Sequence, residues 1–365
     1  MLNSSANDKP LAFMPVEEQA LLQDAVARLL DGAEAGGNWR NLWSRLVAMG
    51  GLAVALPVDQ GGLDDAGAVR VIATELGRRA IALPFACGVA ATLRALARMP
   101  APPAALPALA AGECLATLAI HEADTLPQLL APQTLARRHL GGYRLTGRKQ
   151  AVPFGAEADY ILLPAWLDAE NQLGLFLVRQ HDEGLRASPA TGIDAAGYAD
   201  LDLVNVAAEL LCQGEAAQGM AEWLLDAYGA ALCAEAAGAM RHLVDATAAY
   251  LGIRQQFGMA LSVNQALRHR FVDIDVQLTQ AEAAADWAAS ALDNETDPAQ
   301  RRRALLTARF TCTRAAWRVS QEAVQLHGGM GMAAETGLGA YMRRLLAITL
   351  LFGDEDSLAE AFAAG

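Results

Sequence analysis

Three stretches of this chain hold residue types that could bind or transform a ligand. The first is Arg254-Gln255-Gln256-Phe257-Gly258, followed by Gln265, His269 and Asp273. The second is Gln325-Leu326-His327-Gly328-Gly329-Met330-Gly331-Met332. The third is the acidic end Gly353-Asp354-Glu355-Asp356, which follows a basic helix carrying Arg343 and Arg344. A guanidinium pairs with anions through a planar fork of donors. Glycines without side chains let backbone amides come close to a phosphate. Carboxylates in a turn could serve as a general base, or simply be solvated. Taken alone, the first two stretches equally describe a solvated helix end and a glycine break. His327 reads as a hydrogen-bonded helix terminus, His269 as a helix residue at a contact, and Met330 and Met332 as packing residues. Arg343 and Arg344 could form a solvated face, hold an anionic ligand or meet another chain.

The elements that must position these residues fall into three blocks. Residues 15–30 place Leu21, Leu22, Ala25, Val26, Leu29 and Leu30 at helical spacing. Helices are also predicted over 39–49, 64–79 and from Pro84, with a Pro/Ala-rich connection at 101–112. From Glu113 the character changes. Short strand-like segments at 115–120, 139–146, 160–165 and 173–178 are separated by turn residues, and 185–206 has room for two more. After Gly214 long Ala-rich helices return over 220–254, 264–292 and 297–327, and the basic helix makes a fourth. This segregation predicts an α+β multidomain chain: an N-terminal helical domain (10–112), a middle antiparallel β domain (113–213) and a C-terminal four-helix bundle (214–365).

Composition narrows the class. The 365 residues suffice for two or three domains. Hydrophobic residues are 53% and mean hydropathy is +0.20, much of it from alanine. No apolar run is long enough to predict a membrane span, and residues 1–9 read as a disordered leader without the pattern of a signal peptide. Cys87, Cys114, Cys212, Cys233 and Cys312 are scattered, which predicts a reducing, cytoplasmic setting and neither a metal site nor a disulfide framework. A net charge of −13 argues against a nucleic-acid surface, but not against a local basic pocket.

The two glycine-bearing motifs together resemble the C-terminal domain of the acyl-CoA dehydrogenase family. Leu56, Pro57, Gly61, Gly62 and Glu75-Leu76-Gly77-Arg78 resemble the same family's first domain, so the likeness spans nearly the whole chain. The ending Leu350-Leu351-Phe352-Gly353-Asp354-Glu355-Asp356 is closer to the small subunit of pimeloyl-CoA-dehydrogenase-type enzymes. The resemblance implies oxidation of an acyl-CoA thioester to the trans-2-enoyl-CoA. A carboxylate would remove the Cα proton while a hydride leaves Cβ for FAD. It further implies that Arg254 pairs with the FAD pyrophosphate of a neighbouring chain and that Phe257 packs near the adenine or ribose. Gln265 and Gln325 would supply amides, and Gly328 and Gly329 a close backbone approach.

Three departures stand against that pattern. Where the family has a Tyr-Glu-Gly-Thr turn, ungapped placement puts Phe352 on the Tyr and Gly353 on the catalytic Glu. The alternative place for that Glu, 29 residues before Phe257, is Tyr228, which is not a base at neutral pH. Asp354 and Glu355 remain as candidate bases beside the vacated place, and solvated turn residues are the competing reading of both. The glycine-rich loop that lines flavin and thioester is replaced by Ala119-Ile120-His121-Glu122-Ala123-Asp124-Thr125. A Trp-Ile-Thr is replaced by Ala151-Val152-Pro153 after Gly147-Arg148-Lys149-Gln150. These losses fall on the side that would hold the isoalloxazine ring, whereas the retained residues reach toward a neighbour's FAD. The implied assemblies are a self-sufficient homo-oligomer, or a heterotetramer with a second acyl-CoA dehydrogenase chain that supplies the base. An electron-transfer flavoprotein-type acceptor would take the electrons. A non-catalytic scaffold with the same fold is the reading from a different class.

Overall fold

In a computed structural model, the described residues are 14–33, 35–122, 131–256, 258–353 and 355–363. Phe257, Asp354, residues 123–125 of the replaced loop and the leader lie outside them. The chain opens with helices α1 (Val16–Leu29), α2 (Trp39–Ala48) and α3 (Ala66–Gly77). A π-helical segment, Phe85–Leu93, follows and runs into α4 (Arg94–Ala97); α5 is Leu106–Ala110. Asn38 and Asp65 cap α2 and α3 by accepting backbone N–H bonds, which is why those helices start there.

Seven strands make the middle region: β1 (Ala116–Leu118), β2 (Leu135–His139), β3 (Gly142–Pro153), β4 (Tyr160–Leu167), β5 (Gln172–Arg179), β6 (Leu185–Thr191) and β7 (Gly197–Gln213). The order β4-β2-β3-β7-β5 returns to β4 through the β4–β5 ladder, so the sheet closes on itself. Most ladders are antiparallel, as anticipated, but β4 pairs in parallel with both β1 and β2 along one edge. The sheet is therefore mixed rather than purely antiparallel. A two-residue turn joins β2 to β3, whereas β1 comes straight from the helical region and β2 only after a long connection. Alternation within β4 explains its unbroken burial. Ile161, Leu163, Ala165 and Leu167 face the barrel interior and Leu162 faces the helical core.

Four long helices follow: α6 (Glu215–Ile253), α7 (Gln265–Asn294), α8 (Pro298–His327) and α9 (Leu338–Phe352), then the short α10 (Glu355–Ala363). A hairpin of β8 (Gln255–Gln256) and β9 (Met259–Ala260) separates α6 from α7. Asn264 caps α7, and Asp297 with Pro298 starts α8. Residues 224–240 of α6 are all buried. That explains why this stretch is Ala-rich all round instead of amphipathic: it is wrapped by other elements. Its contact with α3 is backbone-close. A Cβ on Gly77 would stand 1.9 Å from the Glu235 carbonyl oxygen, and one on Gly238 2.0 Å from that of Thr74. The Glu75-Leu76-Gly77-Arg78 motif thus seats the N-terminal helices on α6.

Side-chain pairs give the helix directions. Asp226–Arg301 and Tyr250–His327 make α6 and α8 parallel. Arg270–Glu322 and Cys312–Ala281 together run α7 against α8. Tyr341 stacks on His242 and Arg344 binds Glu235, so α9 runs antiparallel to α6. No described helix is long and apolar enough to cross a membrane.

Candidate active site

The C-terminal ends of α6 and α8 meet through a stack of Tyr250 on His327, with ring centroids 4.3 Å apart. This brings the two separated motifs to one end of the helices. His327 is buried and its Nδ1 donates to the Ala323 carbonyl oxygen at 2.7 Å, the helix-terminal role its position suggested. Arg254 follows α6 directly and its carbonyl oxygen accepts from Leu261 N, closing the hairpin. The side chains of Arg254, Gln265 and Gln325 are all exposed, and Arg254 forms no ion pair among the described residues. A Cβ added to Gly328 or Gly329 would meet nothing within 4 Å. Gly331 differs: it is buried, and a Cβ there would stand 2.4 Å from the Val324 carbonyl oxygen, so that glycine serves packing. Met330 and Met332 are 44% and 81% exposed, so the packing role read from the sequence is not met within this chain. His269 is likewise exposed.

This set suits a diphosphate-bearing group. It offers one free guanidinium, two amides and unobstructed backbone, all turned outward. A group held here would lie against the surface of this chain and need covering from another.

The base position is differently built. Continuing the antiparallel register of α9 on α6, set by Tyr341–His242 and Arg344–Glu235, brings Gly353 to the level of Tyr228. The two places that the resemblance offers for the catalytic Glu therefore share one level of the fold. Neither carries a carboxylate. Gly353 is buried and ends α9 with φ 93° and ψ 154°. Glu355 is exposed in the first turn of α10, where an acidic group suits the helix dipole. Tyr228 is buried, and burial pushes its hydroxyl well above the ordinary value of 10; Cys87 and Tyr198 add to the shift.

Close by lies a buried ion cluster that linear reading missed. Arg344 Nε donates to Glu235 at 2.5 Å and Nη1 donates to Asp194 at 2.5 Å. Burial opposes the Arg344 charge, but Glu235 and the neighbouring oxygens outweigh it and hold its proton well above the usual range. Of the two arginines on the basic helix, Arg343 is thus the exposed one and Arg344 an internal tie between α6, α9 and the β6–β7 connection. Nothing local in the sequence marks that difference except helical phase.

The replaced loop is a second internal tie. Lys149 Nζ donates to Glu122 at 2.5 Å and to the Pro164 carbonyl oxygen at 2.9 Å. Glu122 also accepts from the backbone N–H groups of Gln133 and Thr134 and from the Thr134 hydroxyl. Burial drags Lys149 down to about 8, partly countered by Glu122. Beside this pair His121 is held down to about 4 by burial and by Arg309 and Lys149. The one sequence hint was that Lys149 is one of only two lysines, among many arginines. Ala151 sits at a bulge with φ 47°, while Val152 and Pro153 are buried. No aromatic ring or hydroxyl comes from that triplet.

Residues 218–365 match the family model for the acyl-CoA dehydrogenase C-terminal domain. Acyl-CoA dehydrogenase FadE27 of Mycobacterium tuberculosis is 30% identical over 315 residues, 83% of this chain and 81% of that protein. The chain belongs to the acyl-CoA dehydrogenase family. Members are flavoprotein oxidoreductases acting on acyl-CoA. Among solved structures, the Tcur3481–Tcur3483 steroid ACAD superposes with TM-score 0.85 at 26% identity, covering 95% of this chain and 97% of that one. The ChsE4–ChsE5 complex from Mycobacterium tuberculosis superposes equally well, with TM-score 0.85, over 96% and 98%. At 23% identity that second likeness speaks for the acyl-CoA dehydrogenase fold alone.

Proposed function

We propose that this chain takes part in flavin-dependent α,β-dehydrogenation of an acyl-CoA thioester to the 2-enoyl-CoA, as a subunit of an oligomeric acyl-CoA dehydrogenase. FAD, when bound, would supply the oxidising centre. Arg254, Gln265, Gln325, Gly328 and Gly329 would hold its diphosphate end, with Phe257 beside its adenosine. The observation that carries this is that Arg254, Gln265, Gln325, Gly328 and Gly329 are exposed together at one end of the helices, and that the Arg254 side chain has no ion pair among the described residues. The long helices α6 to α9 are read as a four-helix bundle, and the chain as domains 10–112, 113–213 and 214–365. An electron-transfer flavoprotein-type acceptor and a cytoplasmic setting complete the proposal.

A second reading is favoured by Gly353. In it the chain anchors FAD for a second acyl-CoA dehydrogenase chain, and that partner supplies the catalytic Glu. Asp354 is the remaining candidate for a base of this chain's own. The experiment is to express the chain alone and with the chain encoded beside it, and to measure bound FAD and acyl-CoA oxidation. The pair should carry flavin and turn over, and the lone chain should not. Full flavin occupancy and turnover by the lone chain would defeat the second reading and favour a homo-oligomer.

A further inference from the structure

The barrel has a gap in one seam, and a lysine fills it. Along one edge β4 pairs with β1 from Tyr160 to Leu162 and with β2 at Trp166 and Leu167. Leu163, Pro164 and Ala165 lie between these two ladders and, among the described residues, pair with neither strand. A buried carbonyl in such a gap needs a donor from elsewhere. The Pro164 carbonyl oxygen receives it from Lys149 Nζ at 2.9 Å. Lys149 stands opposite Leu201 in the β3–β7 ladder, and Leu201 belongs to the barrel interior. Directly opposed residues share a face, so the lysine reaches from β3 to β4 through the interior. Its side chain is fully buried.

The same ammonium holds the chain that leaves β1 and the chain that enters β2. It donates to Glu122, shortly after β1 ends. Glu122 accepts in turn from the backbone N–H groups of Gln133 and Thr134 and from the Thr134 hydroxyl, just before β2. One positive charge therefore ties both ends of the β1–β2 connection to β4. The ladders beside it are short: three residue pairs from β1 and two from β2. Lys149 is also one of only two lysines in the chain. A neutral lysine amine is a nucleophile toward carbonyl carbon.

We propose that Lys149 is a guarded acylation site: acyl-CoA thioesters acylate its Nζ only while the seam between β1 and β2 is open, and the resulting amide weakens that seam. The neutral amine attacks the thioester carbonyl carbon. The C–S bond breaks, CoA leaves as a thiolate that takes up the proton from nitrogen, and an amide forms. No oxidation or reduction is involved. The amide carries no charge, so Glu122 loses the ammonium that holds it. Breaking one side of a buried pair is strongly destabilising. The thioester class is taken from the acyl-CoA dehydrogenase reading given above; the site itself uses neither flavin nor turnover.

The test incubates the full chain with acetyl-CoA at pH 8, both folded and in guanidinium chloride, and follows acetylation of Lys149 by peptide mass spectrometry. Lys149 in the folded chain should react at least tenfold more slowly than in the unfolded chain, and a smaller difference overturns the guard. Thr134→Val removes one donor to Glu122 and should speed the folded-state reaction at least threefold. A smaller effect overturns the seam as the way in. Lys149→Gln, an amide in place of the charge, should lower Tm by at least about 3 °C or fail to fold. A smaller shift overturns the tie between charge and seam. Each readout is independent of bound FAD. Loss of the acyl-CoA dehydrogenase reading, by a chain that never carries flavin in any assembly, is therefore told apart from loss of this one.

Discussion

The helix ends around Arg254 and Gly328 and the junction around Tyr228, Arg344 and Gly353 are made on opposite plans. At the helix ends, polar groups face outward without internal partners. At the junction, Arg344, Glu235 and Asp194 are buried and satisfy one another, and Tyr228 is buried near them. The first region spends nothing on the stability of the chain and keeps its donors available. The second is committed to holding α6, α9 and the barrel together, and its polar groups are used up in doing so. In this acyl-CoA dehydrogenase chain the outward polar groups and the groups that hold the fold together stand in separate regions.

The sharpest way to break that contrast is at the junction. Arg344→Met leaves Asp194 and Glu235 buried without their cation and should cost about 3–5 kcal/mol, read by denaturant unfolding. A loss under about 1 kcal/mol would show that the cluster is not a structural tie. The next effect is in acid. His121 is held at about 4 against an ordinary 6.5. The unfolded chain then binds more protons than the folded one between those values, so stability falls as pH drops from about 6.5 toward 4. The difference in pKa corresponds to about 3 kcal/mol by pH 4. Glu122, whose carboxyl is held below its ordinary value despite burial because Lys149 and its other donors favour the charge, should add to the acid loss once pH passes below about 4.5. Unfolding curves at several pH values check this, and His121→Gln should flatten the slope between 6.5 and 4.

At the helix ends the expectation reverses. Arg254→Ala should leave unfolding free energy within about 0.5 kcal/mol of wild type. It should weaken FAD retention by about 1.5–3 kcal/mol, the scale of a hydrogen bond to a charged group. Flavin fluorescence after dialysis measures the second, and unchanged retention would remove Arg254 from the cofactor site. The smallest effect is expected at Glu355. Glu355→Gln should move stability by less than about 0.5 kcal/mol, since it is an exposed first-turn residue. It should leave turnover of the assembled enzyme unchanged, and loss of activity would reinstate Glu355 as a base.

The parts legible in the sequence are those whose chemistry is local. Helices with Asn or Asp before them, strands bounded by turn residues and the two glycine motifs are all written within a few residues of one another. The turn after α9 stands out only through the resemblance, whose ungapped placement sets Gly353 where the family pattern has a glutamate. What escaped were pairs far apart in the chain. Arg344 and Arg343 look alike in sequence, yet one is buried 109 residues from its partner Glu235 and 150 from Asp194. Met330 and Met332 look like packing residues and are exposed, because the turn after α8 leaves their side chains on the surface. The parallel edge of β4 also depended on where the helical region delivers β1.

By itself the sequence determined the family, and through the resemblance it singled out 254, 257, 265, 325, 328 and 329 as candidates for the cofactor. Each of those is a matter of residue type at a spacing. Only the tertiary structure decided that Arg344 and not Arg343 is the buried arginine of α9, and that Gly353 ends α9 with φ 93°. Dihedral angles and the register of α9 on α6 come from how Leu351, Leu358, Arg344 and Glu235 pack, and packing between distant segments is not written at any one position.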